Sequence, residues 1–68
     1  MKDRSLYLFN DEEHFNYEIM ATSWRDAIAQ ARDIFSIKGR IVLVSHVGAT
    51  KAWNMSVSGY QFMLTLVG

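Results

Sequence analysis

The segment from Thr22-Ser23-Trp24-Arg25-Asp26-Ala27 through Lys38-Gly39 is the one stretch of this chain patterned to form a helix of several turns. It runs directly into Arg40-Ile41-Val42-Leu43-Val44, which reads as an apolar strand. Ser23 suits the N-cap, with Asp26 three residues on where a capping box places an acid. Trp24, Ala27, Ile28, Ala31, Ile34 and Phe35 recur at spacings of three and four and form one apolar stripe. Arg25, Asp26, Ala29, Gln30, Arg32, Asp33 and Ser36 fill the opposite side. Lys38 suits the negative end of the helix, and Gly39 is placed to take the left-handed conformation that stops it. With one helix available, every other element must be arranged around it.

The remaining segments read as strands. Ser5 to Phe9 is a short aromatic and aliphatic run, followed by the polar turn Asn10-Asp11-Glu12-Glu13. His14 to Ala21 alternates, with Phe15, Tyr17 and Ile19 against Asn16 and Glu18, the period of a half-buried strand. Arg40 to Val47 is a strand and Gly48-Ala49-Thr50-Lys51 a turn. Ala52 to Val57, a tight turn at Ser58-Gly59, and Tyr60 to Val67 complete the chain. The expected fold is therefore α+β, in the order ββαβββ, with a five-stranded antiparallel sheet and the helix on one face. A sheet order of 2-1-3-4-5 keeps every neighbour antiparallel and is the order the sequence favours.

Side chains paired across a ladder share a face, so turn lengths sort them. A two-residue turn at Ser58-Gly59 groups Val57, Met55 and Trp53 with Tyr60, Phe62 and Leu64 on the helix-covered face. An even turn at residues 48 to 51 adds Val42, Val44 and His46. An even turn at residues 10 to 13 adds Leu6 and Leu8 opposite Tyr17 and Phe15. Left on the uncovered face are Tyr7, Phe9, Ile41, Leu43 and Met63, surrounded by polar side chains such as Asn16, Glu18, Asn54, Ser56 and Gln61. One helix covers one face of a sheet, so this apolar centre reads as an interface.

Composition narrows the function classes. Sixty-eight residues make a single domain, and half of them are hydrophobic, which is rich for so small a globule and fits a surface covered by a second chain. Seven basic side chains balance seven acidic ones, so the charge excess usual in nucleic-acid binders is missing. Without cysteine the chain has neither disulfides nor thiolate metal sites. No apolar run is long enough to span a bilayer, and Met1-Lys2-Asp3-Arg4 does not begin a signal peptide, so a cytoplasmic location is expected.

Motifs for chemistry are weak. Asp11-Glu12-Glu13-His14 gathers carboxylates and an imidazole, but a tight turn splays consecutive side chains, whereas a metal needs converging ligands. The acidic tip made by Asp11, Glu12 and Glu13 suits a basic partner surface. His46 reads as an edge-of-core histidine. Isolated Gly48, Gly59 and Gly68 make no phosphate-cradling loop, and no serine stands in a nucleophile elbow. Trp24 and Trp53 alternate with core positions and are assigned to packing rather than to base stacking. The expectation is a non-enzymatic binding protein that needs neither cofactor nor metal.

The spacing Ser23-x3-Ala27-x3-Ala31-x7-Gly39, with the strand Arg40-Ile41-Val42-Leu43-Val44 after it, resembles the centre of certain small phage-encoded anti-CRISPR proteins. These inhibit type I CRISPR surveillance complexes and carry one helix on an antiparallel sheet. The likeness covers roughly residues 15 to 66 in outline. It implies a protein that covers a guide-complex surface and blocks target DNA, often with basic residues. Basic residues are not clustered in a matching way here, so no functional residue is carried over. The implied partner is a host defence complex, in the host cell cytoplasm. A second copy of the chain is the alternative partner, and a weak nucleic-acid contact through Lys51 and Arg40 a less favoured one.

Overall fold

The computed structural model describes residues 3–46, 52–57 and 59–67, with the backbone alone for 42–46. The turn assigned to Gly48-Ala49-Thr50-Lys51 lies outside the described residues, as do the side chains of Val42, Leu43, Val44 and His46. The fold is α+β, one helix on an antiparallel sheet. Its elements are β1 (Ser5–Asn10), β2 (Tyr17–Ala21), α1 (Trp24–Ile34), β3 (Ile41–His46), β4 (Ala52–Val57) and β5 (Tyr60–Val67). The strands lie in the order β2-β1-β5-β4-β3.

This corrects the 2-1-3-4-5 order. Strand directions are the same in both arrangements, so antiparallel pairing alone does not choose between them. What chooses is coverage. With β2 and β3 at opposite edges, the connection through α1 crosses the whole sheet and shelters its middle. Phe62 and Leu64 of β5, 3% and 0% exposed, then sit in the central strand rather than at an unprotected edge.

The helix starts as its sequence indicates. The Ser23 hydroxyl accepts from the Asp26 N–H at 3.1 Å, and the Asp26 carboxylate reaches back to the Thr22 N–H at 3.0 Å, one residue before the capping-box position. It ends earlier than Gly39. Ser36 adopts the left-handed conformation, φ 53°, and the Ser36 and Ile37 N–H groups donate to the Asp33 and Arg32 carbonyls. This pair of bonds is a Schellman stop, and the residue after it, Ile37, is buried as that motif favours. Gly39 instead bends the linker, its carbonyl held by the Arg32 guanidinium. A serine pays a steric penalty at positive φ that glycine avoids. Ser36→Gly is therefore expected to stabilise the fold by about 0.5–1 kcal/mol, visible as a rise of a few degrees in Tm.

Two register features set which face each strand buries. The β4–β5 ladder pairs Val57 with Tyr60, Met55 with Phe62 and Trp53 with Leu64, as the turn length implied. Between β1 and β2, however, Phe9 lies opposite Tyr17 and Tyr7 opposite Ile19. The register leaves an odd number of residues between Asn10 and Asn16, not an even turn at 10 to 13, and this turns β1 over. Tyr7 and Phe9 are 4% and 0% exposed and belong to the core, not to the open face. Ile41 is also corrected: a bulge between Ile41 and Leu43 sets it opposite Val57, packed against the core. Leu43 pairs with Ser56 through its backbone, and its side chain is outside the described residues.

The core therefore forms between α1 and cross-strand rows such as Ile19–Tyr7–Leu66 and Tyr17–Phe9–Leu64–Trp53. Ala27 and Ala31 are fully buried, and these small side chains bring α1 down onto the sheet. Phe9 stacks on Phe35 at 4.2 Å and on Phe62 at 5.4 Å. Tyr7 meets Trp24 edge-on at 4.9 Å, and Trp24 meets Trp53 at 6.3 Å, so both tryptophans take part in packing.

Candidate binding site

Among the described residues, the β1–β2 connection, residues 11 to 16, is densely hydrogen-bonded. Asn10 and Asn16 close its base: the Asn16 N–H donates to the Asn10 Oδ1 at 2.9 Å, and the Asn10 Nδ2 donates to the Asn16 Oδ1 at 3.2 Å. Asn16 takes φ 52°, a conformation that asparagine tolerates better than most residues. Inside the loop, the Asp11 Oδ1 accepts from the Glu13 N–H at 2.8 Å and the His14 N–H at 2.6 Å, and meets the His14 Nδ1 at 2.9 Å. Its Oδ2 accepts from the Tyr60 hydroxyl, which anchors the loop to the first residue of β5.

Asp11 is thus a structural acceptor. Its side chain is only 4% exposed, and its two oxygens are occupied from within the chain. Burial alone pushes this carboxyl up, but the bonds from Tyr60, Glu13 and His14 outweigh it and hold the pKa at about 2. Tyr60 shifts the other way. Burial, the bond to Asp11 and the nearby charges of Asp11, Glu13 and Glu12 raise its pKa above the usual tyrosine value.

The His14 ring lies against Phe35 at 4.4 Å and Phe9 at 6.2 Å, so the loop is seated on the aromatic core. Between loop and helix end is a cavity of about 440 Å³ bordered by Glu12, Glu13, Phe35, Lys38 and Tyr60. The loop's outer surface is unlike its base. Glu12 and Glu13 are exposed, and Phe15 is 85% exposed. Tyr17 on β2 and Ile34 at the end of α1 are further exposed apolar side chains, at 42% and 46%.

Of the residues expected at a site, Glu12 and Glu13 stand at the surface, Asp11 is engaged beneath them, and Met63 is half-buried on the uncovered sheet face. Tyr7, Phe9 and Ile41 belong to the packed side. Phe15 was missed because its alternation with Tyr17 and Ile19 mimics a strand. Tyr60 was missed as the partner of Asp11 because no local pattern links positions so far apart. Among the described residues, no three His, Asp or Glu side chains converge to hold a metal. No described helix is long and apolar enough to cross a membrane. No family model, curated protein or solved structure matches the chain significantly.

Proposed function

We propose that the chain is a non-enzymatic binding protein that docks on a basic protein surface through the β1–β2 loop. The observation that carries this reading is Phe15, a phenyl ring 85% exposed on a loop fixed by the Asn10–Asn16 pair and the Asp11 bonds. A rigid loop loses little conformational freedom on binding, and a protruding aromatic fills a partner's pocket as a hot spot does. Glu12 and Glu13 beside it supply charge complementary to lysine or arginine.

A machine that grips nucleic acid displays such a basic surface. This agrees with the resemblance to phage-encoded inhibitors, and the partner we favour is a type I surveillance complex whose DNA-binding surface the loop occupies. The test is to titrate the protein onto purified type I complexes and follow target-DNA binding together with interference in cells. Wild type is expected to bind and to compete with DNA. Phe15→Ala is expected to weaken binding by about 30-fold or more with unchanged Tm, since the ring contributes little to the core. Absence of binding with undiminished interference would overturn the choice of partner. Full binding by Phe15→Ala would overturn the choice of surface.

A further inference from the structure

Strand β2 stands at one edge of the sheet, with β1 as its neighbour on the inner side. A strand turns the N–H and C=O of alternate residues to opposite sides, so an edge strand presents half of its backbone groups outward. On β2 two bonds identify that half. The Met20 C=O accepts from the Gln30 Nε2 of α1 at 2.9 Å. Just past the strand, the Thr22 N–H donates to the Asp26 Oδ2, also of α1, at 3.0 Å. Both bonds go to helix side chains rather than to β1, so the even-numbered residues face outward. Tyr17, Ile19 and Ala21 turn their groups toward Phe9, Tyr7 and Ser5.

The helix thus closes one end of this edge with its own side chains. Gln30 is half-buried, and its Nε2 also lies 3.3 Å from the Asp26 Oδ2. Two acceptors around one nitrogen fix how the amide is turned, because only its NH2 end donates. Further along the edge, the N–H and C=O of Glu18 and the N–H of Met20 face outward with no partner among the described residues.

We propose that Gln30 is a guard: by occupying the Met20 carbonyl, it keeps β2 from pairing with the β2 of a second copy. Antiparallel pairing centred on Ile19 sets Glu18 opposite Met20 of the second copy and offers four hydrogen bonds, two of which need a Met20 carbonyl. Pairing centred on Met20 needs both Met20 carbonyls and also the Thr22 N–H, which Asp26 holds. Pairing centred on Glu18 sets two carboxylates against each other. The register without charge conflict is therefore the one in which Gln30 removes half the bonds, and its loss frees that register.

Sedimentation equilibrium from about 10 µM to 1 mM tests this, with urea unfolding as the check on the fold. Gln30→Ala is expected to self-associate more than about tenfold more tightly than wild type while unfolding cooperatively. Gln30→Met keeps the length of the side chain without its donor and is expected to do the same. Adding Glu18→Pro to Gln30→Ala removes an outward N–H at a strand edge, where proline is tolerated, and is expected to return association to the wild-type level. Folded Gln30 variants that associate no more tightly than wild type would overturn the proposal. So would association that persists with Glu18→Pro, which would place it on another surface. Failure of both Gln30 variants to fold would also overturn it, because the contact would then support the fold itself rather than guard its edge.

Discussion

Phe9→Ala is expected to abolish cooperative folding, whereas Leu8→Ala, one residue away, costs about 1 kcal/mol or less. Phe9 is fully buried and stacked between Phe35 and Phe62, so truncation leaves a cavity between helix and sheet. Phenylalanine-to-alanine changes in such sites cost about 3–5 kcal/mol. A domain of this size holds only roughly 3–10 kcal/mol in all. Leu8 lies on the uncovered face, opposite Glu18 and Thr65, and its loss opens no interior void. Urea unfolding of the two variants checks the ranking. An even turn between the first two strands would require the opposite result.

Asp11→Ala is expected to be the second most damaging change, costing about 2–4 kcal/mol near neutral pH. It strips acceptors from the Glu13 and His14 amides and from the Tyr60 hydroxyl, and polar groups left without partners are more costly than the bonds themselves. The wild type should show the same dependence on pH. Asp11 titrates near 2 in the fold and near its ordinary value when unfolded, so the unfolded chain takes up a proton first as pH falls. The stabilisation, about 1–2 kcal/mol, is complete above about pH 4 and is lost as pH drops toward 2. Tyr60 sets the alkaline limit. Its native pKa is raised, so its contribution is complete below about pH 10 and is lost as pH climbs through the native value. Melting temperature against pH should therefore be flat in the middle, and Asp11→Ala should have a shallower acid limb, keeping the part that the hydrogen-bonded Asp26 carboxylate contributes.

What the sequence made legible was local. Ser23 and Asp26 announce a helix start through bonds spanning three or four residues, and a two-residue turn dictates the β4–β5 register without reference to anything else. The errors arise where geometry depends on distant partners. Whether Asn10 and Asn16 pair across the loop decides the parity of β1, and the five intervening letters do not reveal it. The helix stops at Ser36 rather than Gly39 because Ile37 finds a buried site against the core, which overrides glycine's advantage at the left-handed position. At the loop, the acidic character of Glu12 and Glu13 could be read directly. The internal use of Asp11 could not, because Tyr60 arrives from the far end of the chain.

The central pairing of β1 with β5 also has a bearing on how the protein is made. The two strands flanking the middle of the core come from opposite ends of the described chain, so loop-closure entropy opposes their meeting more than any other contact. While the ribosome is still adding β5, Phe9 and Tyr7 have a neighbour on the β2 side only, and the growing chain carries an unshielded aromatic edge. Acquisition of the native state is therefore concentrated after the last strand emerges, with the β4–β5 hairpin supplying a local template onto which the first hairpin and its helix dock.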